Sequence, residues 1–337
     1  MMKKSVLRVL CLLLCLAFVM PFASCQKDEK QEKNFFLMDT PITVTLYTDK
    51  KTAEPIFNAC RNLLRELDAL WSRTQTDSDV GCFNASNGAH DLDPRTAALI
   101  AQAMDVATKT SGAFDITVAP LVNLWQASEE RETLPTNAEL QNALSLVGTD
   151  RICLIDHTLT KTDKDVQIDL GGIGKGAAIS ALISYLESCD GVRGGLVSFG
   201  SNVAVFGTKP DEKPYRIAIK NPKTEGGYAG VLNLKAGQIL SVSGDYERYY
   251  TVNGESYHHI LDPETGYPAQ SGLCSVAVIC SDGALADALS TALFVMGEEN
   301  ARAFYESQVY DFEAVFIDQS GKVTTTAGLA NIFELQE

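Results

Sequence analysis

"QIDLGGIGKGAA", residues 167–178, decides between two fold classes. Gly172, Gly174 and Ala177 satisfy G-x-G-x-x-A between an apolar stretch that reads as a strand, "VQIDL" (166–170), and one that reads as a helix, "KGAAISALISYLESC" (175–189). In that position the pattern is the loose dinucleotide fingerprint of a parallel, doubly wound sheet. The full fingerprint also needs an acid at the end of the following strand. Here Asp190 precedes that strand, "GLVSF" (195–199), and Phe199-Gly200-Ser201 closes it without a carboxylate. A phosphate-cradling P-loop fails too, because Gly176 follows Lys175 where Ser or Thr is required. What survives is a tight turn into a helix, with glycines where backbone must come close to something and free amides at the helix start.

The surrounding elements give an α+β chain with mixed, largely antiparallel sheets and packed helices. "FFLMDTPITVTLYT" (35–48) alternates as an opening strand. From Thr52 to Trp71, Ile56, Phe57, Cys60, Leu63, Leu64, Leu67, Leu70 and Trp71 recur at helical spacing. Residues 72–90 are polar and rich in Asn, Gly and Ser, the composition of a long loop. Pro94 to Thr110 reads as a helix, and Thr136 with Glu139 forms a capping box opening another. Strands are expected at 215–222, 230–237, 238–244 and 274–280, a helix from Ala284 to Met296, and a hairpin over 314–326.

Lys3, Lys4 and Arg8 precede an apolar run, Val9 to Val19, too short to cross a bilayer, and small residues stand directly before Cys25. Residues 1–24 therefore read as a bacterial lipoprotein signal with Cys25 the lipidated N-terminus, 25–34 as a flexible tether, and 35–337 as one catalytic unit. The expected location is extracytoplasmic, lipid-anchored to the cell membrane. Loss of Lys3, Lys4 and Arg8 takes the net charge from −15 to −18, which argues against nucleic acid as a partner. Six cysteines follow Cys25 without a C-x-x-C pair, so no disulfide scaffold is expected.

Two places could carry chemistry. In "ADALSTALFVMG" (286–297), Asp287, Ser290 and Thr291 stand at i, i+3 and i+4 and share one helix face, an oxygen donor set suited to a hard cation such as Mg²⁺. Such a set is more often solvated, but the apolar neighbours here mean a carboxylate needs a partner. In "HHILDPETGYP" (258–268), His258 and His259 are adjacent on a strand end and point to opposite faces, so one ring can serve a site while the other does not.

Taken together, "FLMDT", "SGAFDITVAPLVNLW", "DLGGIGKGAA", "SGDYERYY", "HHILDPETGYP" and "ADALSTALFVMG" resemble, in order and spacing, the FAD:protein FMN transferases of the ApbE type. The resemblance runs from Phe35 to about Gly297. It implies FAD as substrate, Mg²⁺ as cofactor, and transfer of FMN to a Thr or Ser hydroxyl of another protein with release of AMP. Residue by residue it implies FAD contacts at Met38, at Asp79, Val80 and Gly81, at Ala113, Phe114 and Asp115, and at Asp169, Lys175 and His259. It implies a metal site from the Gly172 carbonyl with Asp287, Ser290 and Thr291, with His259 and Asp287 the catalytic pair and His258 ordinary surface. The acceptor pattern of relatives, Ser/Thr-Gly-Ala-Ser/Thr, has its nearest counterpart in Ser111-Gly112-Ala113-Phe114, which lacks the last hydroxyl. A separate acceptor, such as a membrane redox-complex subunit, is the expected partner. Two other readings share the sequence features: an FAD-binding or FAD-pyrophosphatase lipoprotein, and a noncatalytic solute-binding lipoprotein.

Overall fold

In a computed structural model, residues 29–336 are described. The signal segment and Cys25 lie outside them. The frame is an eight-stranded sheet whose strands lie side by side in chain order, every pairing antiparallel. They are β1 (Glu29–Leu37), β2 (Thr40–Thr48), β3 (Gly194–Phe199), β4 (Asn202–Gly207), β5 (Ile239–Gly244), β6 (Leu273–Cys280), β7 (Glu313–Asp318) and β8 (Val323–Thr325). No parallel pairing occurs among the described residues, so the doubly wound alternative is excluded and the α+β expectation holds.

The chain leaves this meander between β2 and β3 to build α1 (Lys50–Trp71), α2 (Asp79–Ala85), α3 (Pro94–Lys109), α4 (Ala119–Glu130), α5 (Asn137–Leu144) and α6 (Gly174–Glu187). It leaves again between β6 and β7 for α7 (Gly283–Glu306). One sheet face packs Val44, Leu46, Val197, Phe199, Val276 and Val278 against these helices. The other packs Val205, Leu240, Ala277, Ile279 and Val315 against a three-stranded sheet formed by Tyr215–Lys220, Tyr228–Leu234 and Phe333–Leu335. This explains why β6 reads as an unbroken apolar run: all eight of its residues are buried because both faces are covered.

Three expectations change. The tether was expected to run to Asn34, but β1 begins at Glu29 and pairs with β2 along its whole length. Its charges sit on an outer edge strand, where they stay solvated and discourage pairing with another chain. The loop expected over 72–90 contains α2, because Ser78 caps it by accepting the Gly81 N–H, and Val80 and Phe83 bury their side chains. The stretch 166–170 joins no sheet. Asn84 takes both polar groups of the Ile168 backbone, its Oδ1 accepting the N–H and its Nδ2 donating to the carbonyl. The Asp169 N–H donates to the Ile116 carbonyl. Backbone satisfaction by loops replaces a ladder here.

The glycines of the opening stretch serve helix packing. A Cβ on Gly176 would sit 1.9 Å from the Gly283 carbonyl oxygen, and one on Gly283 would sit 2.2 Å from that of Gly176. The first turns of α6 and α7 therefore cross backbone to backbone. α7 then runs through to Met296, kinks at Gly297 (φ 76°) and continues.

Candidate active site

A cavity of about 870 Å³ opens where these elements meet. The crossing of α6 and α7 forms its floor. Asp287, 3% exposed, accepts the Gly176 N–H at 2.9 Å and the Ser241 hydroxyl at 3.2 Å, and Lys175 Nζ lies 3.5 Å from Oδ2. The buried carboxylate thus has the partners its apolar surroundings demand. Thr291, one turn on, also lines the cavity, and its hydroxyl is 3.2 Å from that of Ser243. Gly172 lies against it: a Cβ there would stand 3.8 Å from Thr291 Oγ1 and 3.1 Å from the Phe114 ring. Ser290 differs from Asp287 and Thr291. It is fully buried, donates to the Asp287 carbonyl at 2.9 Å and pairs with Ser243 at 2.8 Å, so Ser243 is the serine on the cavity wall.

Asp287, Thr291 and Gly172 line the same cavity, and carboxylate, hydroxyl and main-chain oxygens are hard donors of the kind that fit Mg²⁺ completed by ligand oxygens and water. Among the described residues no cluster of three or more His, Cys, Asp or Glu could hold a metal alone. A magnesium ion that shares its shell with a phosphate needs no such cluster.

His259 lines the cavity at the end of a two-stranded ribbon, Tyr249–Val252 with Glu255–His258. Its Nδ1 lies 2.9 Å from the Arg248 carbonyl, which can only accept, so Nδ1 carries the proton and Nε2 keeps a lone pair. Burial, followed by the nearby Lys175 and Arg248 charges, holds its pKa down to about 4, while the Arg248 carbonyl opposes them. The opposite-face expectation holds for His258, but the ordinary-surface expectation does not. Its ring packs edge-on against Phe294 of α7 with centroids 5.6 Å apart, and Nε2 bonds the Ala269 carbonyl at 3.0 Å. The ribbon itself rests on Trp125, which meets Tyr250 and Tyr257 and donates to the Gly266 carbonyl at 2.9 Å.

Met38, Ala113, Phe114, Asp115, Asp169 and Lys175 all reach the cavity. Met38 and Asp39 both hold φ 52° in the two-residue turn joining β1 to β2, a conformation usually given to Asn-Gly. Strain of roughly 1 kcal/mol per residue is thereby kept at the wall, a pattern found at functional sites. Burial raises the Asp115 pKa although Thr117 donates both its hydroxyl and its N–H. Asp79, Val80 and Gly81 do not reach the cavity. Val80 is wholly buried, Gly81 presses on the Gln75 carbonyl, and Asp79 accepts the Asp93 N–H. Ser72, Arg73 and Thr74 line the wall instead. No motif marks these three, since a polar loop after a helix reads the same wherever it points.

The ApbE family model matches residues 38–316. This chain belongs to the ApbE family. An FAD:protein FMN transferase of Haemophilus influenzae is 32% identical over 94% of this chain and 95% of its own length. One of Vibrio cholerae is 30% identical over 88% and 90%. Among solved structures, the ApbE protein of Thermotoga maritima superposes with a TM-score of 0.82 at 32% identity, covering 92% of this chain and 100% of that one. The apo flavinyl transferase ApbE of Pseudomonas stutzeri gives 0.78 at 29%, covering 91% and 98%. The ApbE fold thus spans both the sheet frame and the cavity, and the six motifs of the sequence fall within or beside the matched region.

Proposed function

We propose that this chain is a Mg²⁺-dependent FAD:protein FMN transferase acting on a Thr or Ser hydroxyl and releasing AMP. Support comes from relatives of matching length that bear that name, and from one observation in the site: a neutral imidazole and a buried carboxylate line the same cavity. The acceptor oxygen bonds to the FMN phosphorus as the bridging P–O bond to AMP breaks. The pyrophosphate splits into a phosphodiester on the acceptor and AMP. His259 Nε2 would take the hydroxyl proton, its tautomer set by the contact of Nδ1 with the Arg248 carbonyl. Asp287, Thr291 and the Gly172 carbonyl would hold the magnesium, which supplies positive charge to the phosphoryl oxygens. Such charge is needed: Asp39, Asp68, Asp115, Glu129, Asp169, Glu247 and Asp287 line the cavity against Arg73, Lys175 and Arg248. Burial, and then the Asp39 charge, raise the Asp68 pKa.

Anchoring through Cys25 outside the cytoplasm, with an acceptor in a membrane redox complex, completes the proposal. No helix among the described residues is long and apolar enough to cross a membrane. The test is FMN transfer to an acceptor peptide against Mg²⁺ concentration in wild type and Asp287→Ala. Transfer should fall by orders of magnitude in the variant and recover poorly with added Mg²⁺. Near-wild-type transfer by the folded variant would sink the metal assignment.

A further inference from the structure

Arg73 stands on the loop after α1, outside every motif of the sequence, yet it ties three cavity walls together. Its Nε meets Asp169 Oδ2 at 3.0 Å, one terminal nitrogen donates to Asn123 Oδ1 at 2.8 Å, and the other donates to Gln126 Oε1 at 3.0 Å. Asn123 in turn donates to Gln167 Oε1 at 2.7 Å, so the brace returns to the segment that carries Asp169. The second carboxylate oxygen of Asp169 accepts the Gly171 N–H at 2.7 Å. Both oxygens are therefore fixed, at a wall where the Arg73 and Asp169 side chains keep only 19% and 20% of their exposure.

We propose that Arg73 is the positioning residue for substrate recognition at Asp169. An ion-paired carboxylate offers acceptors only, so the group it reads must carry an N–H or O–H donor. The planar guanidinium sets the direction from which that donor is received, which lysine cannot reproduce. This rests on the FAD reading of the cavity, where such donors are a ring N–H of the flavin or adenine half, or a sugar hydroxyl.

The experiment titrates FAD, FMN and AMP separately into wild type, Arg73→Gln, Arg73→Lys, Asp169→Asn and the Arg73→Gln/Asp169→Asn double variant. Melting curves monitor folding, and a fifth variant, Asn123→Ala, loosens the brace without touching Arg73. Arg73→Gln should weaken FAD binding about tenfold, with the loss in KM exceeding that in kcat. Arg73→Lys should restore little of it. In the Asp169→Asn background the Arg73 change should add no more than about twofold, the mark of coupled residues. Asn123→Ala should weaken FAD in the same direction by less. Whichever of FMN or AMP shares the loss carries the donor. Additive effects of the two changes, full rescue by lysine, or an unchanged FAD affinity in Arg73→Gln would overturn the proposal. A wild type that binds none of the three ligands would remove the FAD reading with it.

Discussion

On the proposed reading His259 takes the acceptor proton, and its surroundings suit that role. Its pKa of about 4 lies below the ordinary value of 6.5, so the unfolded chain binds more protons between the two. Its contribution to stability is whole above about pH 6.5 and is lost as pH falls toward 4. The same shift keeps Nε2 unprotonated through the neutral range. Transfer by wild type should therefore show no His259 limb near pH 6.5, and a rate against pH that halves there would contradict the assignment. His259→Asn should lower transfer far more than FAD affinity. Asp287 asks for a different expectation from the one its apolar neighbours alone suggest. Removing an unpaired buried charge would cost little, but this carboxylate accepts the Gly176 N–H. Asp287→Ala leaves that amide unsatisfied, and should lower stability by about 1–3 kcal/mol, read as a fall in melting temperature of the apo protein. Helical spacing put Asp287 and Thr291 on one face, a local signal, whereas His259 was distinguished from His258 only by the resemblance, since two adjacent rings read alike from composition. The sequence hid Arg73 and misplaced Asp79, Val80 and Gly81, because which way a polar loop faces is settled by distant packing.

Among the elements, the crossing of α6 and α7 links fold to site. Gly176 and Gly283 bring two helix starts into backbone contact, which sets the Gly176 N–H against Asp287 and Lys175 beside it. Gly176→Ala must push the helices apart, since the carbonyl it meets is backbone and cannot rotate away. It should destabilise the protein by about 1–3 kcal/mol and weaken metal-dependent FAD binding, measured by denaturant melts and by FAD titration with and without Mg²⁺. Unaltered stability would show that the crossing tolerates separation. Five of the helices, α1, α3, α5, α6 and α7, were legible from apolar periodicity and caps, down to the Thr136–Glu139 box, whereas α2 was read as loop and α4 was not anticipated. The strand expected over 166–170 was misread, because an extended apolar segment reads alike whether a ladder or a side chain such as Asn84 satisfies its backbone. β1 was missed for the converse reason: an edge strand facing water needs no apolar alternation, and its first six residues are polar or charged.

At the scale of the molecule, the chain joins a strongly acidic whole to a substrate that is itself an anion. On the proposed reading, seven carboxylates against three cations around one cavity would make the pyrophosphate depend on a bound cation. FAD affinity should accordingly collapse with a chelator and return with Mg²⁺. The proposed lipid anchor gives its own expectation, that wild type partitions with membranes and Cys25→Ser acquires no lipid. A mature N-terminus several residues beyond Cys25 would remove the anchor and leave only export. The central claim is tested most directly by incubating the protein with FAD, Mg²⁺ and a Ser/Thr-Gly-Ala-Ser/Thr peptide, then weighing the peptide and measuring AMP. The peptide should gain one FMN on a hydroxyl residue, with one AMP released for each. Free FMN and AMP beside an unmodified peptide, or tight FAD binding with no turnover, would contradict it.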